Sequence, residues 1–132
     1  MKQLLMAVST ALVLVSCGGK GKSVDKDAKA DYQMEQPKMK ELEMSEDDGV
    51  RKPYMDKLIE MKGYITKTQK SQTTSDPNKY SFHLSPTATE NETDYTICYT
   101  DSDPSGSVGK QVTVKGKFDY AGAITLDNCV YY

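Results

Sequence analysis

The sequence predicts a small all-β protein: a five-stranded barrel that follows an N-terminal targeting segment and a charged tether. Three observations predict it. The second half of the chain carries apolar residues at alternate positions in five short runs, the pattern of half-buried strands. The first 17 residues contain one short apolar stretch, and the region between these two parts is polar. Hydrophobic residues make up only 37% of the 132 residues, which is low for a chain that is packed throughout.

Residues 1–16 are predicted to be a signal peptide. Lys2 supplies a positive charge, and the mostly apolar stretch that follows, Leu4 to Val15, is shorter than the roughly 20 residues that a membrane-spanning helix needs. The sequence Leu-Val-Ser-Cys that ends at Cys17 resembles the bacterial lipobox. That resemblance implies cleavage before Cys17 and attachment of diacylglycerol to its thiol.

The lipobox resemblance places the protein in the cell envelope, held to a membrane by acyl chains on Cys17. The freed amine of this cysteine would also be acylated, and several chains are needed because each buried methylene contributes only about 0.8 kcal/mol. An aspartate directly after the cysteine would resemble an inner-membrane retention signal. This chain has Gly18 there instead, which favours the outer membrane. The alternative is an ordinary signal peptide whose apolar stretch happens to end in cysteine.

The lipidated cysteine and the residues after it, 17–53, are predicted to form a flexible tether. Lysines and carboxylates alternate there and apolar residues are scattered, a composition that favours a solvated chain. One short helix is predicted over Lys38 to Asp47, bounded by Pro37 and Gly49, because Met39 and Leu42 lie three residues apart on one helical face.

The predicted barrel occupies residues 54–132. Its inward-facing residues are expected to be those that alternate with polar ones along each run: Ile59, Met61, Gly63 and Ile65; Tyr80, Phe82 and Leu84; Tyr95, Ile97 and Tyr99; Val112, Val114, Gly116 and Phe118; Ile124, Leu126 and Val130. Closure into a barrel removes the two exposed edges of an open sheet. Gly63 and Gly116 lie mid-strand, where a bulge or sharp coil lets a sheet curl. A helix over Tyr54 to Met61 is an alternative, since Met55, Leu58 and Ile59 have helical spacing.

The same region resembles a known family. The resemblance rests on Tyr54, Lys57, Met61-Lys62-Gly63-Tyr64-Ile65, Ile97-Cys98, the segment from Gly109 to Lys117, and Ile124-Thr125-Leu126-Asp127-Asn128-Cys129. These residues are similar to the exported tRNA-anticodon-like OB-fold family over residues 54–132. The resemblance implies an OB-fold-like barrel with the strand order 1-2-3-5-4-1. The chain departs from the family between Thr100 and Gly109, a link too short for the helix often found there.

This strand order makes the third and fifth strands neighbours. Each of these two strands carries one cysteine. If Ile97 and Leu126 face inward, alternation turns Cys98 and Cys129 outward on the same surface. An exported protein meets an oxidising environment, so the two are predicted to form a disulfide, worth about 3–4 kcal/mol in the chain-entropy model. Two free thiols are the alternative. A redox-active pair is disfavoured because no Cys-x-x-Cys loop is present.

Composition excludes several function classes. With 17 basic and 19 acidic residues the formal net charge is −2, which gives no overall attraction to nucleic acid or to an anionic membrane. His83 is the only histidine, so multi-histidine metal sites are excluded and a Ser-His-Asp hydrolase is disfavoured. The sequence therefore predicts neither an enzyme nor a metal or other cofactor.

The remaining prediction is an interaction module of the cell envelope that binds a protein or a glycan. The loop from Thr68 to Lys79 and the turn Tyr120-Ala121-Gly122 flank the usual ligand face of an OB-fold. An alternative is oligonucleotide binding by a basic-aromatic patch on strands one and four, made of Lys62, Tyr64, Lys115 and Lys117. A purely structural envelope component, with no saturable partner, is a third possibility.

Overall fold

The computed structural model describes residues 23–71, 78–89 and 93–132. Its regular elements, in chain order, are β1 (Tyr32–Gln33), α1 (Gln36–Met44), β2 (Leu58–Lys70), β3 (Tyr80–Ser85), β4 (Thr96–Thr100), β5 (Gln111–Tyr120) and β6 (Ile124–Tyr131). Three single 3₁₀ turns lie at Asp48–Val50, Lys52–Tyr54 and Ser105–Ser107. The alternative helix over Tyr54 to Met61 is wrong, because β2 begins at Leu58.

The strands β2 to β6 form a closed barrel. Hydrogen bonding runs in the order β2-β3-β4-β6-β5, and β5 pairs with β2 to close the ring. All of these pairs are antiparallel except β4 with β6, which is parallel. The closing pair runs from Leu58 opposite Lys117 to Tyr64 opposite Gln111. The predicted strand order is confirmed, and the protein is a small all-β OB-fold-like barrel.

The barrel core consists of alternating side chains from all five strands. Its largest fully buried members are Phe82, Phe118, Ile59, Met61, Ile65, Leu84, Leu126 and Val114. Burial of each such side chain contributes about 1.5–3 kcal/mol of stability. A register shift follows Ile65 on β2, and another lies between Lys115 and Lys117 on β5. The first irregularity begins two residues beyond Gly63, and the second lies opposite Gly116 with its extra residue on β6.

The two glycines allow close approach inside the barrel. A Cβ atom on Gly63 would lie 2.8 Å from the carbonyl oxygen of Ser85 and 2.9 Å from Cγ of Leu84. On Gly116 it would collide with the Cys129 sulfur. Any larger residue at either position therefore forces neighbouring atoms to move.

Strand β4 faces the opposite way from the prediction. Thr96, Cys98 and Thr100 are buried inside the barrel, whereas Ile97 is half-buried on the outer surface. Cys98 lies opposite Phe82 on β3 and pairs with Leu126 on β6. Both of these large side chains are fully buried, so this layer of the core accepts a small residue from β4.

Cys129 also faces inward, contrary to the prediction, because β6 contains a bulge. Leu126 and Cys129 are both fully buried although three positions apart, which strict alternation does not allow. Asn128 adopts a left-handed conformation with φ of 56°, and the pairing of β6 with both neighbours changes register here. Asparagine tolerates this conformation better than most residues, and the bulge re-aims the cysteine into the core.

The described part of the predicted tether packs against the barrel. Residues 23–31, which we call the strap, cross the outer face of β5 and β6. The amide of Val24 donates to the carbonyl of Asn128 (2.8 Å), and the buried ammonium of Lys115 donates to the carbonyls of Lys26 (2.7 Å) and Ala28 (2.6 Å). β1 then pairs in parallel with the start of β2. Residues 1–22 lie outside the described part of the chain.

Helix α1 covers one end of the barrel, and the observed helix is close to the predicted one. Met39 and Leu42 are 3% exposed and join the core. At the start of the helix, Gln36 donates to the carbonyl of Leu84 (2.7 Å) and accepts from the Thr96 hydroxyl (3.0 Å). Near its end, the Glu43 carboxylate accepts from the Ile124 amide (2.8 Å). The helix is thus bonded to three strands.

Arg51 secures the other end of α1. Its buried guanidinium donates to the carbonyls of Leu42 (2.6 Å) and Ser45 (3.0 Å) and to the carboxylate of Asp48. The same group stacks on the ring of Tyr120, 3.8 Å from its centroid. Orphan carbonyls at the helix terminus are therefore satisfied by a cation that also packs on the β5–β6 hairpin.

The link between β4 and β5 closes the opposite end without an α-helix. Pro104 is fully buried there. The amide of Gly109 donates to the carbonyl of Ile65 (2.7 Å), and the amide of Ile65 donates to the carbonyl of Lys110 (3.1 Å). These bonds attach the short link directly to β2.

Candidate functional site: a groove between two loops

An open groove of about 460 Å³ lies on the outer face of the barrel, between the β2–β3 connection and the β5–β6 hairpin. Its lining residues are Ser71, Asn78, Ile97, Tyr99, Asp119, Ala121, Ala123, Thr125 and Asp127. This is the position between the two loops that the sequence analysis singled out. Residues 72–77 of the first loop lie outside the described part of the chain.

The reversed orientation of β4 creates the apolar part of the groove. Because Cys98 points inward, Ile97 and Tyr99 lie on the outer face. Tyr95, on the same face, stacks on His83 with ring centroids 3.8 Å apart and planes nearly parallel. The sequence analysis missed these residues because it assigned the tyrosines and the isoleucine to the core. The only available signal was the small size of Thr96, Cys98 and Thr100.

The polar part of the groove is acidic. Asp127 accepts a hydrogen bond from the Thr125 hydroxyl (2.9 Å), and Asp119 accepts one from the Tyr120 amide (2.9 Å). Burial raises the pKa of Asp127, and the nearby carboxylates of Asp119 and Asp56 raise it further, while the Thr125 bond opposes them. Two carboxylates beside an aromatic ring suit hydroxyl or cationic groups and repel phosphate.

The four residues of the predicted basic-aromatic patch lie on the outer face of β2 and β5, but they do not form a continuous basic surface. Lys115 is 7% exposed, its ammonium is bound to two strap carbonyls, and a carboxylate oxygen of Glu60 is 3.9 Å away. Lys62 and Lys117 are exposed on either side of this pair, and Tyr64 is half-buried. Lys115 therefore serves to hold the strap.

The two barrel cysteines lie together in the core. Cys98 and Cys129 are fully buried and are present as thiols in this structure. Burial raises the pKa of Cys129 well above its usual value, and a hydrogen bond with Cys98 raises it further. A protonated, buried thiol is a poor nucleophile, which disfavours a nucleophilic role for Cys129. Cys17 lies outside the described residues.

A second cavity, of about 360 Å³, lies between α1 and the β3–β4 connection. Its polar groups are already used to hold the helix: Lys40 donates to the carbonyl of Thr93 (2.6 Å) and Glu43 accepts from Ile124. Among residues 23–71, 78–89 and 93–132, no set of histidine, cysteine and carboxylate side chains is grouped to bind a metal. The described helix is too short and too polar to cross a membrane.

No protein-family model matches the sequence. No curated protein matches it either.

Proposed function

We propose that the protein is a lipid-anchored component of the cell envelope whose OB-fold-like barrel binds an envelope protein or glycan in the groove. The observation that carries this proposal is the groove itself, which lies between the two loops and combines a half-buried aromatic side chain with two carboxylates. The barrel topology also supports membership of the exported tRNA-anticodon-like OB-fold family. The lipobox that ends at Cys17 supports the anchor and an outer-membrane location.

The chemistry of the groove favours a protein or glycan over nucleic acid. Tyr99 offers a rigid amphipathic ring, which suits both protein and sugar surfaces. Asp119 and Asp127 can accept hydrogen bonds from sugar hydroxyls or pair with a basic side chain. Phosphate backbones require a positively charged surface, and the basic patch of β2 and β5 is interrupted by the Glu60–Lys115 pair.

Site-specific photocrosslinking in intact cells tests the groove. A photoreactive residue placed at Ala121, on the groove wall, is expected to capture a partner, whereas the same residue placed at Lys62, outside the groove, is not. Adding Tyr99→Ala to the Ala121 probe should reduce capture without loss of the folded protein. Equal capture at both positions, or capture unaffected by Tyr99→Ala, contradicts the groove as the binding site.

Salt dependence separates the nucleic-acid alternative. A protein that neutralises phosphates loses affinity steeply as salt rises, with a log–log slope of about −0.7 per phosphate on single strands. We expect no measurable binding of single-stranded DNA or RNA by the purified protein at physiological salt. Saturable, salt-sensitive binding that Lys62→Ala and Lys117→Ala weaken would instead support the basic patch.

The anchor is tested by metabolic labelling with a fatty-acid analogue. The wild-type chain is expected to take up label and to fractionate with membranes. Cys17→Ser should abolish both, because serine cannot form the thioether. Labelling that persists in this variant contradicts lipidation at Cys17.

A further inference from the structure

The strap is bound to the barrel from its first residues. Val24 is held by the carbonyl of Asn128, and the next turns of chain are held by the buried Lys115 ammonium, whose two bonds to the carbonyls of Lys26 and Ala28 are 2.7 and 2.6 Å long. Donation by a charged group makes these bonds stronger than ordinary amide bonds. The strap is therefore part of the folded domain.

Few residues separate this fixed point from the proposed anchor. Val24 is seven positions after Cys17. A chain spans at most about 3.6 Å per residue, so the two Cα atoms are at most about 25 Å apart whatever the conformation of the residues between them. A domain of about 100 residues has a radius of gyration near 13 Å, which corresponds to a diameter of roughly 30 Å. The connection is shorter than the domain that it holds.

We propose that the acyl anchor holds the strap side of the barrel against the phospholipid surface, so that the strap and Tyr132 form a membrane-facing surface. This inference rests on the proposed lipidation of Cys17. Tyr132 is 51% exposed, and the ammonium of Lys26 lies 5.9 Å from the centroid of its ring. Tyrosine and lysine side chains are typical of the headgroup region of a bilayer.

The anchor, and not surface charge, imposes this contact. The strap carries two lysines, Lys26 and Lys29, and three aspartates, Asp25, Asp27 and Asp31, so it has no net positive charge. The orientation is therefore expected to persist at high salt and on uncharged lipid, unlike that of a polybasic segment.

The groove lies close to the membrane-facing surface. The carbonyl of Asn128 accepts from Val24, and the amide of the same residue donates to the Asn78 side chain (3.2 Å), which lines the groove. One residue thus joins the strap to the groove wall. A partner that binds in the groove therefore lies near the bilayer, within about a domain diameter of the lipid headgroups.

Energy transfer to lipid headgroups tests the orientation. The full lipidated protein is reconstituted in vesicles of phosphatidylethanolamine and phosphatidylglycerol that contain a headgroup acceptor dye. Single donor probes are attached through Asp27→Cys on the strap and Ala88→Cys on the β3–β4 connection, both exposed positions. Cys98 and Cys129 are fully buried and do not compete for the label in the folded protein.

We expect stronger transfer from position 27 than from position 88, because Asp27 lies on the strap over β5 and β6, whereas Ala88 follows β3, which pairs with neither of those strands. A Gly/Ser insertion of about 12 residues between Gly19 and Lys20, with an r.m.s. span near 20 Å, should remove most of this difference. Flotation of the same vesicles shows whether the protein is anchored.

The outcomes are distinguishable. Flotation with equal transfer from the two positions, or a difference that the insertion leaves unchanged, overturns the orientation and leaves the anchor intact. Absence of flotation overturns the anchor and the orientation together. A difference that is lost in high salt shows that charge holds the surface, and it also overturns the inference.

Discussion

The sulfur of Cys129 occupies the space that a side chain at position 116 of β5, where the chain has Gly116, would have to fill. The cysteine reaches this position because Asn128 adopts a left-handed conformation, which turns the following residue into the barrel. The glycine on one strand and the bulge on its neighbour are therefore interdependent features of the core.

Replacement of Gly116 tests this relationship. Gly116→Ala is expected to lower the free energy of unfolding by about 2–3 kcal/mol, because the added methyl overpacks the core against Cys129 and Leu126. Urea titration measures the change. Gly106→Ala is the matched control: nothing lies within 4 Å of its Cβ position, and it is expected to change stability by less than about 0.5 kcal/mol. Equal effects of the two substitutions contradict the close contact.

The state of the cysteines is a separate prediction. In protein recovered from the envelope without reductant, we expect Cys98 and Cys129 to form a disulfide, because both thiols share one buried site and the compartment is oxidising. Thiol titration after unfolding should detect no free barrel thiol, and reduction should lower stability by about 3–4 kcal/mol. Detection of two reactive thiols in the unreduced, unfolded chain contradicts the bond.

Arg51 is expected to control the attachment of α1. Arg51→Ala leaves the carbonyls of Leu42 and Ser45 without their donor and removes the stacking on Tyr120. We therefore expect the free energy of unfolding to fall by about 3 kcal/mol. Arg51→Lys should recover only part of this loss, because an ammonium lacks the planar fork. The exposed neighbour Lys52, replaced by alanine, provides the control in the same urea titrations, and a similar effect there would refute the role of Arg51.

The groove carboxylate Asp127 predicts a pH dependence. Its pKa is raised in the folded state by burial and by Asp119, so the folded protein binds this proton more tightly than the unfolded chain does. Stability from this group is complete below the unfolded pKa of about 3.8 and is lost as the pH rises through the folded pKa.

Asp127→Asn should therefore raise stability at neutral pH and change it little below pH 3.8, since the amide oxygen still accepts from Thr125. Urea titrations over a pH series measure this, with the exposed Asp101→Asn as control. A gain that is the same at all pH values contradicts the assigned cause.

The sequence predicted the barrel well because its signals are local and repeated. Alternation placed Ile59, Met61 and Ile65 inside on β2, and Phe82 and Leu84 inside on β3. Strand order came from the family resemblance, and both mid-strand glycines lie where neighbouring atoms approach closely. These features depend on side-chain size and spacing, which are visible in a single sequence.

The errors arose where the decision depended on partners distant in sequence. On β4 either face satisfies alternation, and the choice of Cys98 over Ile97 follows from Phe82 and Leu126, its large buried neighbours on the two adjacent strands. On β6 one left-handed residue, Asn128, reversed the expected direction of Cys129. The two loops that flank the groove were named from the sequence. The apolar part of the groove was not predicted, because Ile97 had been assigned to the core.

The predicted tether shows the same limit. Met34, Met39 and Leu42 are isolated apolar residues among charged ones. Nothing in the local pattern shows that the end of the barrel buries them. Lys115 looked like a solvent-facing strand residue and serves as the fastening point of the strap.

Residues 24–43 are held by strands that come much later in the sequence. Glu43 accepts a hydrogen bond from Ile124, and the strap is bonded to Lys115 and Asn128. Helix α1 is bonded to Thr96 on β4. Pairings so distant in sequence cost loop-closure entropy that is repaid only late. A chain that ends before Ile124 lacks the hydrogen-bond partners of both Val24 and Glu43, so we expect such a truncation to release segments that lie about 80 to 100 residues away in the sequence.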